Sequence, residues 1–180
     1  TWDESKQVMK LLIEGQATQA QIGSFLMAMR FRMESVSELA AFTAAARAYV
    51  APLSVPKELA VVDVPSYAGK SETFHGLIAG AIVAASAGAA IVMHGYDGIP
   101  GRPGAAGVLK ALGIPIDLDP KMAGEEVTKK GFVYLDIGMY HPPLYRFLEM
   151  RQEIGVRNLF HPIARLLNPS RAAAQVIGLS

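Results

Sequence analysis

The sequence predicts an α/β protein preceded by a small helical unit. The first 50 residues carry only helical patterns, whereas from about residue 60 strand-like and helix-like segments alternate. Between them lies "APLSVPKE", 51–58, with two prolines and a serine, which reads as the join. The expected division is a helical domain over 1–53 and an α/β domain over 54–180. Helices near 142–170 are candidates to pack with the helical domain.

In chain order, "SKQVMKLLIEG" has apolar residues at 8, 9, 11, 12 and 13 and ends on Gly15, a helix stop. "TQAQIGSFLMAMRFRM" opens on Thr18, a suitable N-cap, and Ile22, Phe25, Leu26 and Met29 form a helical stripe. The stripe reads as helix–helix core, with an apolar ligand groove as the alternative. In "SVSELAAFTAAARAYV", Ser35 stands three residues before Glu38, the spacing of a capping box. Strands are then predicted at 60–64, 89–93, 132–136 and 173–178. Helices are predicted at about 74–87, 104–112, 120–129 and 142–154. Asp119-Pro120 supplies an N-cap followed by proline in the first helical position. This alternation predicts a mostly parallel sheet flanked by helices.

The totals exclude several classes. A chain of 180 residues, 51% hydrophobic, can bury a substantial core. Cysteine is absent, so disulfides and thiolate metal sites are ruled out, and the composition suits a reducing, cytoplasmic setting. A net charge of +1 gives no compositional reason to expect a polyanionic partner. "GLIAGAIVAASAGAAIVM", 76–93, is uncharged over 18 residues, near the length that spans a bilayer. Its Ala and Gly content and Gly88 favour a buried helix followed by a buried strand. The chain lacks an initiator Met and ends on "AAAQVIGLS", so it reads as cut at both ends.

Ligands of parallel sheets bind beyond the carboxyl ends of the strands. Segments 65–73, 94–104 and 137–142 are expected to meet there. His94 follows one predicted strand and His141 another, so the pair could orient a substrate or exchange protons. The alternative is two loop histidines bonded to backbone. Histidines so far apart, without a third ligand at metal spacing, predict no metal site. Arg151, about two and a half turns into the helix from Pro142, could hold a carboxylate, or stand solvated near Glu149 and Glu153. Lys70, Ser71 and Thr73 precede a helix and could take an anion, as could Arg102 in "GIPGRPG". Pro65 and Tyr67 make a poor cradle, so a simple N-cap at Ser71 or Thr73 is the default.

These pieces, in this order, resemble the anthranilate phosphoribosyltransferase family over essentially the whole chain. The resemblance rests on "QIGSFLMAMRFRMES" (21–35), "HGYDGIPGRPGAAGVLKALGI" (94–114), "HPPLYRFLEMRQEIGVRNLF" (141–160) and Asn168-Pro169. It implies the nucleoside phosphorylase and phosphoribosyltransferase fold, truncated at the C-terminus, and a homodimer through the helical domain. It also places His94, Gly95, His141 and Arg151 on the family's anthranilate side, with Arg165 replacing a proline of that pocket.

On the diphosphate side the sequence departs from the family. Where the family has Gly-Thr-Gly-Gly-Asp, this chain has Pro65, Ser66, Tyr67, Ala68 and Gly69. Thr73-Phe74 are kept, but the following Asn-Ile-Ser-Thr is replaced by His75, Gly76, Leu77 and Ile78. Met93 replaces a lysine, and Tyr96-Asp97 replace Asn-Arg. Ser66, Gly69, Lys70, Thr73 and Arg102 remain as anion candidates. Such a "PSY.G" loop resembles a divergent branch of the family, in which loss of transferase activity and nucleic-acid binding are expected. Two readings follow: a binding protein, or a transferase, either with the family's anthranilate phosphoribosyltransferase activity or using another ribosyl ligand. Magnesium is expected only with the second.

Overall fold

The computed structural model describes residues 1–66, 75–98, 101 and 103–178. In chain order the elements are α1 (Trp2–Ile13), α2 (Gln19–Arg32), α3 (Val36–Arg47), β1 (Val61–Pro65), α4 (Gly76–Ser86), β2 (Ala90–Gly95), α5 (Ala105–Ala111), α6 (Pro120–Lys130), β3 (Phe132–Asp136), α7 (Ile137–Tyr140), α8 (Pro142–Ile154), α9 (Phe160–Leu166) and β4 (Ala174–Gln175). They form two compact units. The first comprises Thr1–Val50 and His141–Leu167, the second Ala51–Tyr140 and Asn168–Ser180.

The first unit is all helical. Thr1, Thr18 and Ser35 each open a helix through a reciprocal capping box, with Glu4, Gln21 and Glu38 as the returning side chains. Each box satisfies backbone donors that the first turn leaves open. The predicted stripe of α2 faces inward: Ile22, Leu26 and Met29 are buried, and Phe25 meets Phe42 of α3 edge-on at 6.2 Å. Phe147 of α8 stacks on Phe160 of α9 with centroids 4.4 Å apart.

The second unit is a four-stranded sheet ordered β3-β2-β1-β4, with every pairing parallel. Its core joins Val64, Ile91, Met93 and Tyr134 to Ile78 and Ala81 of α4 and to Ala105, Ala106 and Leu109 of α5. The 18-residue uncharged stretch is thus divided between α4 and the fully buried β2, with Gly88 in the turn at φ +99°. No described helix is long and apolar enough to cross a membrane. Three expectations shift. β2 runs two residues further than predicted and takes in His94 and Gly95. β4 covers only Ala174–Gln175, because the chain arrives through left-handed turns at Asn168 and Arg171 and leaves Ala174 exposed. The short helix α7 was not foreseen.

Gly124 is a point of close packing on α6. A Cβ there would drive into the backbone carbonyl of Ser54. Gly→Ala inside a helix usually gains up to about 1 kcal/mol. Here Gly124→Ala should instead destabilise by about 1–3 kcal/mol, since a backbone atom cannot swing aside. Thermal melts of the variant check the sign.

Candidate functional site

The sheet's register aligns the candidate residues of the second unit. Pro65 pairs with His94, His94 with Leu135, and Gly95 with Asp136. Ser66 N–H continues the ladder to His94 C=O at 2.7 Å. Ser66, Gly95 and Asp136 therefore share the carboxyl ends of three strands.

His94 lies within β2 and is fully buried. Its Nε2 lies 3.2 Å from Asp63 Oδ2, and its Nδ1 lies 2.8 Å from the Tyr140 hydroxyl. Burial, with the charges of Asp63 and Asp136, pushes the Tyr140 phenol far up. Tyr140 therefore keeps its proton and donates to Nδ1, which leaves Nε2–H to donate to Asp63. Gln175 Nε2 donates to the same carboxylate oxygen at 2.6 Å. The chain Tyr140–His94–Asp63–Gln175 ties α7, β2, β1 and β4 together. With Tyr140, His94 and Asp63 fully buried, it reads as structural. His94 is thus not the loop histidine of the sequence reading.

Gly95 packs closely against Ser66. A Cβ at residue 95 would land on Ser66 Oγ and lie 3.7 Å from the Tyr134 hydroxyl. Ser66 is buried, and its hydroxyl fills the space that Gly95 leaves.

Asp97 sits where the resemblance places an arginine. Its carboxylate accepts from Gly107 N–H at 3.2 Å and faces the N–H groups of Ala105 and Ala106. These are the open donors at the start of α5, whose N-cap, Gly104, has no side chain to offer. The chain thus supplies its own anion to this turn. Burial raises Asp97, and the backbone donors offset only part of that shift. Asp136 accepts from Gly138 N–H at 2.8 Å and is also raised, by burial first and by the charge of Asp97. Asp97→Ala should cost about 1 kcal/mol through loss of the cap, with a fall in melting temperature as the readout.

Gly69, Lys70, Ser71, Thr73 and Arg102 lie outside the described residues, as does most of the altered loop.

The remaining candidates belong to the first unit. His141 is the N-cap of α8: Nδ1 accepts from Leu144 N–H at 3.2 Å and Nε2 reaches Ala46 C=O at 3.0 Å. Burial lowers its pKa. The backbone-bonded alternative fits this residue. Arg151 lies in the last turn of α8 and is half-buried. Arg165 lies on α9, lowered by burial and by Arg157.

Asp63, Tyr140 and His161 were not singled out from the sequence, and Asp97 only as a replaced family residue, not as a cap. Asp63 carried a signal, a lone acid inside the apolar strand "VVDVP". Asp97 carried a weaker one: a helix opening on glycine needs a cap from elsewhere.

Among the described residues no group of three or more His, Asp or Glu could hold a metal ion, and Asp97 and Asp136 both accept from backbone N–H groups.

Comparison with known proteins agrees over both units. Residues 1–50 match the helical bundle domain of a glycosyl transferase family, and residues 60–180 match its a/b domain. The anthranilate phosphoribosyltransferase of Persephonella marina is 34% identical over 178 residues, covering 98% of this chain and 52% of that protein. The Bacillus caldotenax protein of that name is 34% identical over 180 residues, covering 99% of this chain and 74% of that one. A crystal structure of the Thermus thermophilus enzyme superposes with a TM-score of 0.86 at 30% identity, covering 99% of this chain and 54% of that one. The chain spans about half the length of most curated relatives it matches. It belongs to this glycosyl transferase family, with both its helical bundle domain and its a/b domain.

Proposed function

We propose that this chain comes from a divergent member of the family that keeps the phosphoribosyltransferase fold but does not join anthranilate to phosphoribosyl diphosphate, and that its ligand is nucleic acid. Asp97 is the observation that speaks against the transferase reaction, while nucleic acid as the ligand rests on the resemblance to the divergent branch. A carboxylate occupies the α5 turn where the resemblance places an arginine, with Asp136 close enough to feel its charge. A polyanionic diphosphate brought to these strand ends would meet two carboxylates and, in the described residues, no metal cluster. The replaced segments at 65–69 and 75–78 support the same reading from sequence. A homodimer through the helical unit is part of the proposal, in keeping with exposed Phe31, Met33 and Val36 around the α2–α3 turn.

Two assays test it. Anthranilate fluorescence should stay constant with phosphoribosyl diphosphate and magnesium present; steady consumption would overturn the proposal. Single-stranded DNA should bind at low salt and weaken steeply as salt rises, because each phosphate contact releases counterions. Absence of binding at low salt would leave a transferase acting on a different ribosyl ligand as the reading.

A further inference from the structure

A cavity opens at the amino ends of β1 and β4, the ends opposite to Ser66, Gly95 and Asp136, and every residue around it belongs to the second unit. Its volume is about 580 Å³, within the range of small-ligand sites. Leu53, Val55, Leu59 and Val61 supply an apolar wall, with the alanines that lead into β4 beside them. The charged side chains around the cavity are Lys57 and Arg171, and no described acid lines it. Both cations are exposed, and neither side chain has an ion pair or hydrogen bond among the described residues.

The backbone holds Arg171 in a conformation that its side chain does not favour. Asn168 and Arg171 sit at φ +51° and +53°. Asparagine tolerates this region, whereas an arginine adopts it at a cost that glycine would avoid. Asn168 shapes the turn by itself: Nδ2 donates to Ala172 C=O at 2.8 Å, and Oδ1 accepts from Ala172 N–H at 2.8 Å. Arg171 N–H donates to Asn168 C=O at 3.0 Å. The guanidinium takes no part in these bonds. A strained position whose side chain supports nothing in the fold points to a use for that side chain beyond the fold. Lys57 stands in a turn of its own, closed by Leu59 N–H on Pro56 C=O at 3.1 Å.

Two unpaired cations beside an apolar wall select for an anionic head on an apolar body. The head pairs with the guanidinium fork and the ammonium, and the body covers the wall and leaves water. We propose that this cavity binds a small amphipathic anion, a carboxylate or phosphate carried on an apolar body, with Arg171 and Lys57 at the head and the Leu53–Val61 wall around the body. The site lies at the other ends of the strands from Asp97 and Asp136 and does not rest on the nucleic-acid reading.

The test is NMR of the full chain with four probes: benzoate, phenyl phosphate, benzyl alcohol and inorganic phosphate. Benzoate or phenyl phosphate should shift the methyl signals of Leu53, Val55 and Val61 and the Nε–H of Arg171, and the tighter of the two identifies the head. Benzyl alcohol has the body without the charge, and inorganic phosphate the charge without the body. Each should bind about tenfold more weakly or worse, since it forgoes one of the two contributions. Arg171→Gly should weaken the amphipathic anions about tenfold and yet melt close to wild type, because glycine accepts the positive φ. Lys57→Gln should weaken them a few-fold. Benzyl alcohol or inorganic phosphate binding as tightly as the amphipathic anions overturns the site. So does an Arg171→Gly protein that binds like wild type, or silence of all four probes above roughly 1 mM, the weak end of ordinary substrate affinities. If Arg171→Gly does not fold, the wild-type comparison of probes and Lys57→Gln decide.

Discussion

Asp63→Ala should lower the stability of the sheet unit by about 3–5 kcal/mol, the range for removing one partner of a buried ionic or charge-assisted network. Asp63 and His94 are fully buried on neighbouring strands, and one carboxylate oxygen accepts from both His94 Nε2 and Gln175 Nε2. Truncation leaves two donors unsatisfied and opens a cavity between them. The effect should extend to β4, which pairs with β1 over only two residues and gains its side-chain tie through Gln175. Tyr140→Phe removes only the hydroxyl donor to His94 and should cost about 1 kcal/mol. Because the chain has two units, unfolding should be followed by amide exchange on β1, β2 and β4, so that the loss is assigned to this sheet. A change within about 0.5 kcal/mol for Asp63→Ala would place the residue among ordinary surface positions and contradict its role.

The helical unit should lose stability as pH falls from about 6.5 to about 4. His161 is held down to about 4 in the folded chain, mainly by burial, against about 6.5 when unfolded. Below the unfolded value a proton prefers the unfolded chain. The contribution is therefore complete above about pH 6.5 and is lost as pH drops through the folded value. The full span is about 3 kcal/mol, and His141, also lowered by burial, works in the same direction. Trp2, the chain's single tryptophan, lies in this unit and reports its unfolding by fluorescence. Urea midpoints measured across this window should fall with acid in wild type and fall less in His161→Asn. An equal acid slope in both proteins would mean that His161 is not the group responsible.

Most of the secondary structure was legible because local chemistry and tertiary packing agree. Thr18, Ser35 and Asp119 were read as caps and serve as caps. The predicted spans of β3 and α8 coincide with those observed. The α/β alternation correctly gave a parallel sheet, since crossover helices leave buried, continuously apolar strands such as β2. What stayed hidden depends on distant residues. The four-residue α7 is too short to show a period. The apolar run at 173–178 resembled a strand, but turns at Asn168 and Arg171 set how little of it pairs. At the site, residue types were visible and partners were not. His94 looked like a cleft histidine until Asp63 and Tyr140, 31 and 46 residues away in sequence, were found on its two nitrogens.

The central claim, that this member of the family has given up phosphoribosyl diphosphate, is tested most directly by calorimetric titration of that compound with magnesium. The account predicts no magnesium-dependent binding in the range of roughly 1 μM to 1 mM typical of enzyme substrates. A micromolar affinity that vanishes when magnesium is chelated would contradict it and return the protein to the transferases.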